Sequence, residues 1–297
     1  MKILLFGRNG QVGWELQRSL APLGEVVALG SQGAEGLCGD FADAQGVART
    51  VRQVRPDAIV NAAAYTAVDR AESEPDLAER VNAVAPGAIA EAAREIGAWL
   101  VHYSTDYVFD GSGTRPWRES DPTGPLSVYG RTKLEGEKRI AEAHGKHLVL
   151  RTSWVYGSRG GNFAKTMLRL ARERDRLTVV DDQFGAPTGA DLLADVTAHA
   201  LRRLADGGGR PGTFHVAAAG ETTWHAYARF VVGKAQQAGE TFKAGPEQVE
   251  AVASSAFRTA AARPHNSRLD TSSFRTTFGL VLPPWQQGVA RMLEEIL

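Results

Sequence analysis

The first half of the chain alternates short apolar runs with longer segments in which apolar residues recur at helical spacing. The apolar runs predict strands at Lys2–Phe6, Val26–Leu29, Ala58–Asn61, Trp99–Ser104 and Leu148–Ser153. The helical patterns between them cover Val12–Ala21, Ala44–Val54, roughly Asp76–Arg94, and Val128–Ala143. Continuous apolar strands separated by helices are typical of parallel sheets buried on both faces, so the pattern predicts a doubly wound α/β fold. In such sheets ligands bind beyond the carboxyl ends of the strands.

The pattern becomes less regular after residue 157. It predicts helices at Asn162–Arg174, Ala190–Leu204 and Thr223–Ala238, strands at Leu177–Val180 and Thr213–Ala217, a loop-rich stretch over residues 239–284, and a terminal helix ending LEEIL. Because no flexible linker separates the halves, we expect a first domain over residues 1–157 to which later segments return. Residues 158–297 are expected to form mostly a small C-terminal lobe.

The composition excludes several classes of partner. Lys+Arg and Asp+Glu both number 34, so nothing in the net charge favours binding to nucleic acid or to an anionic membrane. The single cysteine, Cys38, has no partner for an intramolecular disulfide, which fits a reducing compartment. The N-terminal apolar run is too short for a signal peptide, and no run is long enough to span a membrane. We therefore expect a cytoplasmic protein.

A glycine-rich turn follows the first predicted strand. Gly7, Gly10 and Gly13 stand in GRNGQVG, between that strand and the first helix. Glycines in this context let the backbone approach a dinucleotide, whose pyrophosphate meets the amides of the helix N-terminus. Three glycines in a turn need not bind anything, but the strand–turn–helix position is the one that the dinucleotide fingerprint requires.

The end of the second strand bears on which dinucleotide is bound. NAD-preferring sites place a carboxylate there for the ribose hydroxyls. Here the strand ends in Gly30-Ser31-Gln32, with neither a carboxylate to repel a 2′-phosphate nor an adjacent arginine to bind one. The sequence thus favours NADPH without excluding NADH. Asp40 either contacts the adenine or caps a turn or helix before Ala44.

A tyrosine–lysine pair supplies candidate proton chemistry. Tyr129 and Lys133 stand at i and i+4, which places them on one face of a helix. A lysine ammonium near a phenol is expected to lower the phenol pKa and make it a usable proton donor or acceptor. With the glycine-rich turn and the hydroxyls of Ser104 and Thr105 at a strand end, this pair supplies what a carbonyl reduction requires.

Together these motifs resemble the extended short-chain dehydrogenase/reductase superfamily and, within it, the dTDP-4-dehydrorhamnose reductase family. The resemblance runs over essentially the whole chain and is carried by GQVGWEL (10–16), VNAAAYTAVDRAE (60–72), STDYVFDG (104–111), VYGRTKLEGE (128–137), RTSWVYG (151–157), DQFGAPTG (182–189) and NSRLD (266–270). It implies a Rossmann-type fold with an NADPH-binding domain and a substrate-binding lobe. It also implies reduction of the 4-keto group of dTDP-4-dehydro-L-rhamnose, the last step of dTDP-L-rhamnose biosynthesis.

The resemblance also implies roles for individual residues. Tyr129 would donate the proton, Lys133 would hold the nicotinamide ribose, and Thr105 would bind the sugar carbonyl. Asp106 and Trp154 would contact the sugar, although Trp154 is also compatible with a core or rim aromatic. The implied cofactor-binding residues are Gly7, Gly10, Gln11, Val12, Gly30, Asp40, Phe41, Ala63, Ala64, Tyr65, Thr66, Tyr103, Tyr129 and Lys133. His102 and His215 lie in apolar strands, and we interpret both as core histidines.

Related chemistries fit less well. Sugar-nucleotide 4,6-dehydratases resembling this family carry T-D-E, where this chain has Tyr107 in place of the glutamate. Epimerase-reductases of the GDP-fucose synthase type need a Cys/His pair, and Cys38 lies far along the chain from Tyr129. A non-catalytic, NADP-binding role like that of the methionine adenosyltransferase β subunit, or another nucleotide-sugar reductase or epimerase, stays as the alternative.

The resemblance also implies a metal site. Some relatives bind Mg²⁺ between subunits through glutamates, and the matching carboxylates here would be Glu15, Asp191 and Glu295. Each is also readily explained as a solvated helix carboxylate. A homodimer with a shared Mg²⁺ is thus an expectation, with no part in the hydride transfer.

Overall fold

The computed structural model describes residues 1–257 and 259–297. The strands are β1 (Lys2–Phe6), β2 (Glu25–Leu29), β3 (Ala58–Asn61), β4 (Trp99–Thr105), β5 (His147–Thr152), β6 (Val155–Tyr156), β7 (Leu177–Val180), β8 (Phe184–Gly185), β9 (Thr188–Gly189), β10 (Gly212–His215), β11 (Thr222–Thr223) and β12 (Val249–Val252). The helices are α1 (Gln11–Leu20), α2 (Ala44–Val54), α3 (Val68–Ala71), α4 (Pro75–Glu79), α5 (Ala85–Ile96), α6 (Val128–Ala143), α7 (Phe163–Glu173), α8 (Ala190–Ala205), α9 (Trp224–Gln237), α10 (Ser272–Phe278) and α11 (Trp285–Ile296).

A six-stranded sheet in the order β10-β5-β4-β3-β1-β2 forms the centre of the fold, and each neighbouring pair is parallel. Successive side chains of β1 serve opposite faces: Ile3 and Leu5 pack with α1 and α8, whereas Leu4 and Phe6 pack with α2 and α5. This confirms the predicted doubly wound α/β fold. Since β1 lies between β2 and β3, the connections diverge at β1 and leave a crevice at its carboxyl end.

Residues beyond the sheet build a second layer of packing. Strands β7 and β12 form a parallel pair, and α7, α9 and α11 supply the apolar clusters around it. In contrast, α8 and β10 return to the central layer, where β10 pairs with β5. No helix in the described ranges has the length and hydropathy needed to cross a membrane.

Besides the unpredicted short elements α3, β6, β8, β9 and β11, two longer parts of the chain differ from the predicted elements. The helix predicted over Asp76–Arg94 is divided into α4, a π-helical turn at Arg80–Val84, and α5. The stretch predicted as loop-rich contains β12 and α10. Both elements are short, and β12 is defined by its pairing with β7, which local periodicity does not encode.

Candidate active site

A cavity of about 390 Å³ opens at the carboxyl ends of β4 and β5, beside the first turn of α1. Its walls include the predicted reaction and sugar-binding residues: Thr105, Asp106, Tyr129, Lys133 and Trp154. The predicted cofactor residues Gln11, Val12, Thr66 and Tyr103 line the same cavity. Residues far apart in the sequence thus meet where the parallel sheet predicts a ligand site.

A second cavity of about 350 Å³ adjoins the first, and the two share Gly10, Ala62 and Ala64. It is lined by the remaining predicted cofactor residues: Gly7, Gly30, Asp40, Phe41, Ala63 and Tyr65. We call the two adjoining cavities the trough, which extends from the end of β2 to the end of β5. This is the shape that an extended dinucleotide requires.

The three glycines of the opening motif have different physical roles. Gly7 has φ of +85°, and a Cβ there would lie 2.6 Å from the backbone of Ala62 and Ala63. A Cβ on Gly13 would lie 2.0 Å from the Gly7 carbonyl oxygen, so this glycine permits close packing of α1 on the turn. At Gly10 a Cβ would meet nothing closer than 3.5 Å. Gly10 is exposed at the N-terminus of α1, where it has no side chain to cap the first-turn amides.

The structure corrects the interpretation of the end of β2. Arg8, from inside the glycine motif, donates from its guanidinium to the Ala28 carbonyl oxygen at 3.2 Å. Its Nε lies 3.8 Å from the position of a Cβ on Gly30, and the Asn9 amide lies closer still. An arginine is therefore adjacent to Gly30 in space, although none is adjacent in the sequence. The sequence did contain a signal for this arginine, because GRNG places a basic residue within the glycine turn.

Asp40 also has a more definite place. Its Oδ1 accepts from the Ala42 amide at 2.9 Å, whereas Asp43 caps α2 by accepting from Gly46 at 2.8 Å. The turn interpretation of Asp40 therefore holds, and the helix-cap interpretation is wrong. The residue still lines the second cavity.

The environment of Tyr129 differs from the expected one. Burial raises the pKa of Tyr129 to about 12, and a hydrogen bond with Thr105 opposes this only in part. Lys133 donates to the Tyr103 carbonyl oxygen at 2.6 Å and its Nζ lies 3.1 Å from Nε2 of His102. The expected lowering of the Tyr129 pKa by Lys133 is thus wrong for this structure, because the lysine head is directed to β4. Burial in turn lowers the pKa of Lys133 to about 8.

Three residues that line the first cavity carry a buried oxygen without a hydrogen-bond partner among the described residues: Asp106 Oδ2, Thr152 Oγ1 and Ser153 Oγ. Burial raises the pKa of Asp106 to about 6, against hydrogen bonds from Ser267 and Thr105. Buried polar groups are costly when unpaired, so these three atoms are candidates for contact with a polar ligand. Asp106 was predicted. Thr152 and Ser153 were missed, although RTSWVYG places them directly after an apolar strand.

Trp154 has a left-handed backbone, with φ of 50°. Its ring stacks on Trp224 with ring centroids 3.7 Å apart, and a Cβ on Gly185 would lie 2.7 Å from it. Trp224 lines a third cavity of about 840 Å³, which meets the first at Tyr107 and also contains Arg263 and His265. The indole pair therefore stands between two cavities. This favours the ligand-facing interpretation of Trp154 over that of a core aromatic.

Asn82 connects two walls of the trough. It lies in the π-helical turn, accepts from the Tyr65 amide at 2.8 Å, and donates to the Tyr65 carbonyl oxygen and to Thr132, each at 3.1 Å. Thr132 directly precedes Lys133 on α6. Wide turns of this kind are frequent at functional sites, and here one directs a buried amide both to Tyr65, on the wall of the second cavity, and to α6.

A buried ion pair lies beneath the reaction cavity. Arg151 donates to both carboxylate oxygens of Glu137, with the shortest contact at 2.6 Å, and Ser104 donates to the same carboxylate. Both charged side chains are at most 7% exposed. The pair joins β5 to α6 at Glu137, four residues after Lys133.

The three carboxylates predicted for a metal do not converge within the chain. Arg291 lies between two of them, 3.6 Å from Asp191 and 3.4 Å from Glu295, and Glu15 pairs with Arg18 at 3.5 Å. Over residues 1–257 and 259–297 there is no group of three or more metal-ligating side chains. The described residues therefore do not fit a metal site formed by one chain alone.

Comparison with known proteins extends these observations. The family model described as RmlD substrate binding domain matches residues 1–297. The chain is 58% identical over 296 residues to a dTDP-4-dehydrorhamnose reductase of Shigella flexneri, and 57% identical to that of Escherichia coli K12. Each alignment covers 100% of this chain and 98% of the relative.

Solved structures give the same relationship. A dTDP-4-dehydrorhamnose reductase from Clostridium acetobutylicum superposes with a TM-score of 0.90 at 34% identity, covering 100% of this chain and 99% of the other. One from Bacillus anthracis, solved in complex with NADP, superposes with a TM-score of 0.88 at 34% identity, covering 99% of each chain.

Proposed function

The chain belongs to the RmlD substrate binding domain family, and from that premise we infer that it is an NADPH-dependent oxidoreductase that reduces the C4 keto group of dTDP-4-dehydro-L-rhamnose to give dTDP-L-rhamnose. One observation carries this proposal: Thr105, Tyr129 and Lys133 meet in the first cavity, which adjoins the second cavity beside the glycine-rich turn. The reductase names of its full-length relatives support this function over the regulatory alternative.

The trough fits a nicotinamide dinucleotide. The first turn of α1, which begins at Gln11, offers its amides to the pyrophosphate, and the Gly10 amide is used within the turn by donating to the Gly7 carbonyl oxygen at 3.0 Å. Arg8 and Ser31 stand near the end of β2, where they suit the 2′-phosphate of NADPH. Lys133 is placed to hold the nicotinamide ribose. When bound, the cofactor supplies the hydride for the carbonyl carbon.

Tyr129 is the proposed proton donor. With a pKa of about 12 its phenol is protonated at neutral pH, so it arrives at the reaction with a proton to give. Thr105, hydrogen-bonded to that phenol, is placed to orient the carbonyl oxygen between the two hydroxyls. Thr105 and Lys133 are almost fully buried, whereas Tyr129 is half-buried on the wall of the cavity.

The sugar is proposed to occupy the space between the unpartnered oxygens and Trp154. Asp106, Thr152 and Ser153 offer acceptors and donors for hydroxyl groups. The cavity beyond Trp224 suits the nucleotide, because its walls carry the Arg263 guanidinium, which also pairs with Asp69, and the His265 ring as groups for a diphosphate, and Phe163 as a ring face for a base. Tyr107 stands where a dehydratase would carry a glutamate, so the carboxylate that would remove the C5 proton is missing at that position.

The decisive experiment is a coupled assay in which dTDP-4-dehydro-L-rhamnose is formed in situ and oxidation of NADPH is followed, with the product identified by mass. Oxidation that requires the sugar nucleotide is expected. Tight NADPH binding without sugar-dependent oxidation would instead establish the regulatory alternative. Repeating the assay with EDTA and measuring the mass in solution test the predicted Mg²⁺ and homodimer.

A further inference from the structure

His102 lies inside β4, directly below the head of Lys133. Its Nδ1 is 2.9 Å from the Asn61 amide nitrogen, and its Nε2 is 3.1 Å from Lys133 Nζ. All three side chains are at most 2% exposed. A buried polar chain thus crosses from β3 through β4 to α6, and the interpretation of His102 as an ordinary core histidine does not account for it.

The orientation of Asn61 determines the imidazole tautomer. Asn61 Oδ1 accepts from the Ala63 amide at 2.9 Å, so its nitrogen faces His102 and donates to Nδ1. A neutral imidazole that accepts at Nδ1 carries its hydrogen on Nε2. Burial beside a lysine holds the pKa of His102 well below its usual value, so the ring is neutral. The Nε2–H group is therefore directed at Lys133.

This donor has a consequence for the lysine. An ammonium group has no lone pair, so it would oppose Nε2–H donor to donor across 3.1 Å. A neutral amine accepts from Nε2–H and still donates to the Tyr103 carbonyl oxygen. The geometry thus favours the amine over the ammonium more than burial alone does.

The other ionisable groups around Lys133 do not cancel this effect. Glu137 on α6 attracts the ammonium, but its carboxylate is already paired with Arg151 of β5 and bonded by Ser104 of β4. The remaining titratable groups on the walls of the first cavity are Tyr129 of α6, Asp106 and Tyr107 directly after β4, and Tyr103 of β4. Burial raises the pKa of Tyr103 and of Tyr107, so both phenols are neutral at neutral pH. Tyr129 is protonated at neutral pH, and Asp106 bonds Thr105.

We propose that His102, held by Asn61 as its Nε2–H tautomer, is a positioning residue that destabilises the ammonium form of Lys133. The consequence for catalysis rests on the proposed function. When Tyr129 gives its proton to the alkoxide, a phenolate is left one helical turn from Lys133 on α6. The charge on Lys133 then helps to set how strongly this phenolate is stabilised until it regains a proton from solvent.

The test titrates Lys133 directly, without turnover. In protein labelled with [¹³C]lysine, the Cε shift of Lys133, assigned by its loss in Lys133→Met, is followed against pH. In His102→Gln, the new side chain can direct its carboxamide oxygen at Nζ of Lys133. In Asn61→Asp, the carboxylate can accept from Nδ1–H of His102, which leaves Nε2 of His102 as an acceptor for Lys133. Each variant is expected to raise the titration midpoint by about one to two pH units, the worth of one hydrogen bond to a charged group.

His144→Gln is the matched control, since His144 is also buried but its Nε2–H donates to the Ala98 carbonyl oxygen, away from Lys133. It is expected to leave the midpoint unchanged. The alkaline limb of kcat/KM should move upward with the midpoint in His102→Gln, which a merely structural defect would not produce. An unchanged midpoint in either folded variant overturns the proposal. A raised midpoint in a protein that shows no reductase activity would instead overturn the proposed function and leave the action of His102 on the lysine intact.

Discussion

Replacement of Tyr129 by phenylalanine separates proton donation from every other role of this side chain. The phenyl ring keeps the edge-on contact with Tyr107, whose ring centroid is 5.5 Å away, and it fills the same buried volume. Only the hydroxyl, with its hydrogen bond to Thr105, is removed. We expect kcat to fall by about 10²–10⁴, the usual contribution of a general acid.

The expected loss exceeds anything that a structural defect would cause here. A factor of 10²–10⁴ corresponds to about 3–5 kcal/mol in the barrier, whereas one neutral hydrogen bond contributes about 1 kcal/mol to folding. Because the pKa of Tyr129 is about 12, nearly all of the wild-type enzyme carries the donor proton at neutral pH. Thr105 is a much weaker acid and does not replace the phenol.

The assay measures initial rates of NADPH oxidation at saturating sugar nucleotide, with the NADPH dissociation constant from fluorescence and the free energy of unfolding from urea titration. Tyr156→Phe is the matched control, because Tyr156 is a buried tyrosine that lines neither cavity of the trough. Turnover of Tyr129→Phe within a few-fold of wild type, with both proteins folded, would refute the proton-donor role.

The remaining predictions concern the cofactor, the sugar site and the support beneath it. Arg8→Ala should lower kcat/KM for NADPH by about 10- to 100-fold and leave NADH unchanged, because it removes a charged partner of the 2′-phosphate; equal losses with both cofactors would contradict this. The pKa of Asp106 is raised from 3.8 to about 6 in the folded chain, so its ionisation costs stability that is absent below about pH 4 and reaches at most roughly 3 kcal/mol above about pH 6. Asp106→Asn should therefore be more stable than wild type in urea titrations, by a margin that grows from about pH 4 to about pH 6 and then stays constant to about pH 8. The same variant should lose affinity for the sugar nucleotide. Glu137→Gln should lower the free energy of unfolding by about 3–5 kcal/mol, because Arg151 is left buried and unpaired, and Glu137→Gln with Arg151→Met should recover much of that loss.

Much of the fold and the trough was predictable from the sequence because the signals are local. The boundaries of α2 and α6 coincide with their apolar periodicity, and the residues predicted to bind the cofactor all line the two adjoining cavities. What could not be predicted depends on contacts between distant segments. The position of Arg8 beside Gly30 requires β1 and β2 to pair, and the direction of the Lys133 head depends on a carbonyl group of β4.

The buried polar groups beneath the trough have a common property that bears on how the site works. Asn82 joins the cofactor wall to α6, His102 joins β3 to α6 through Lys133, and Glu137 joins α6 to β5 through Arg151. An apolar core would fold at lower desolvation cost, so stability alone does not explain polar links at these positions. All of them meet α6, the helix that carries Tyr129 and Lys133. Since a displacement of about 1 Å in a reacting group costs on the order of 10²-fold in rate, fixing this one helix against β3, β4 and β5 is what the reduction most requires.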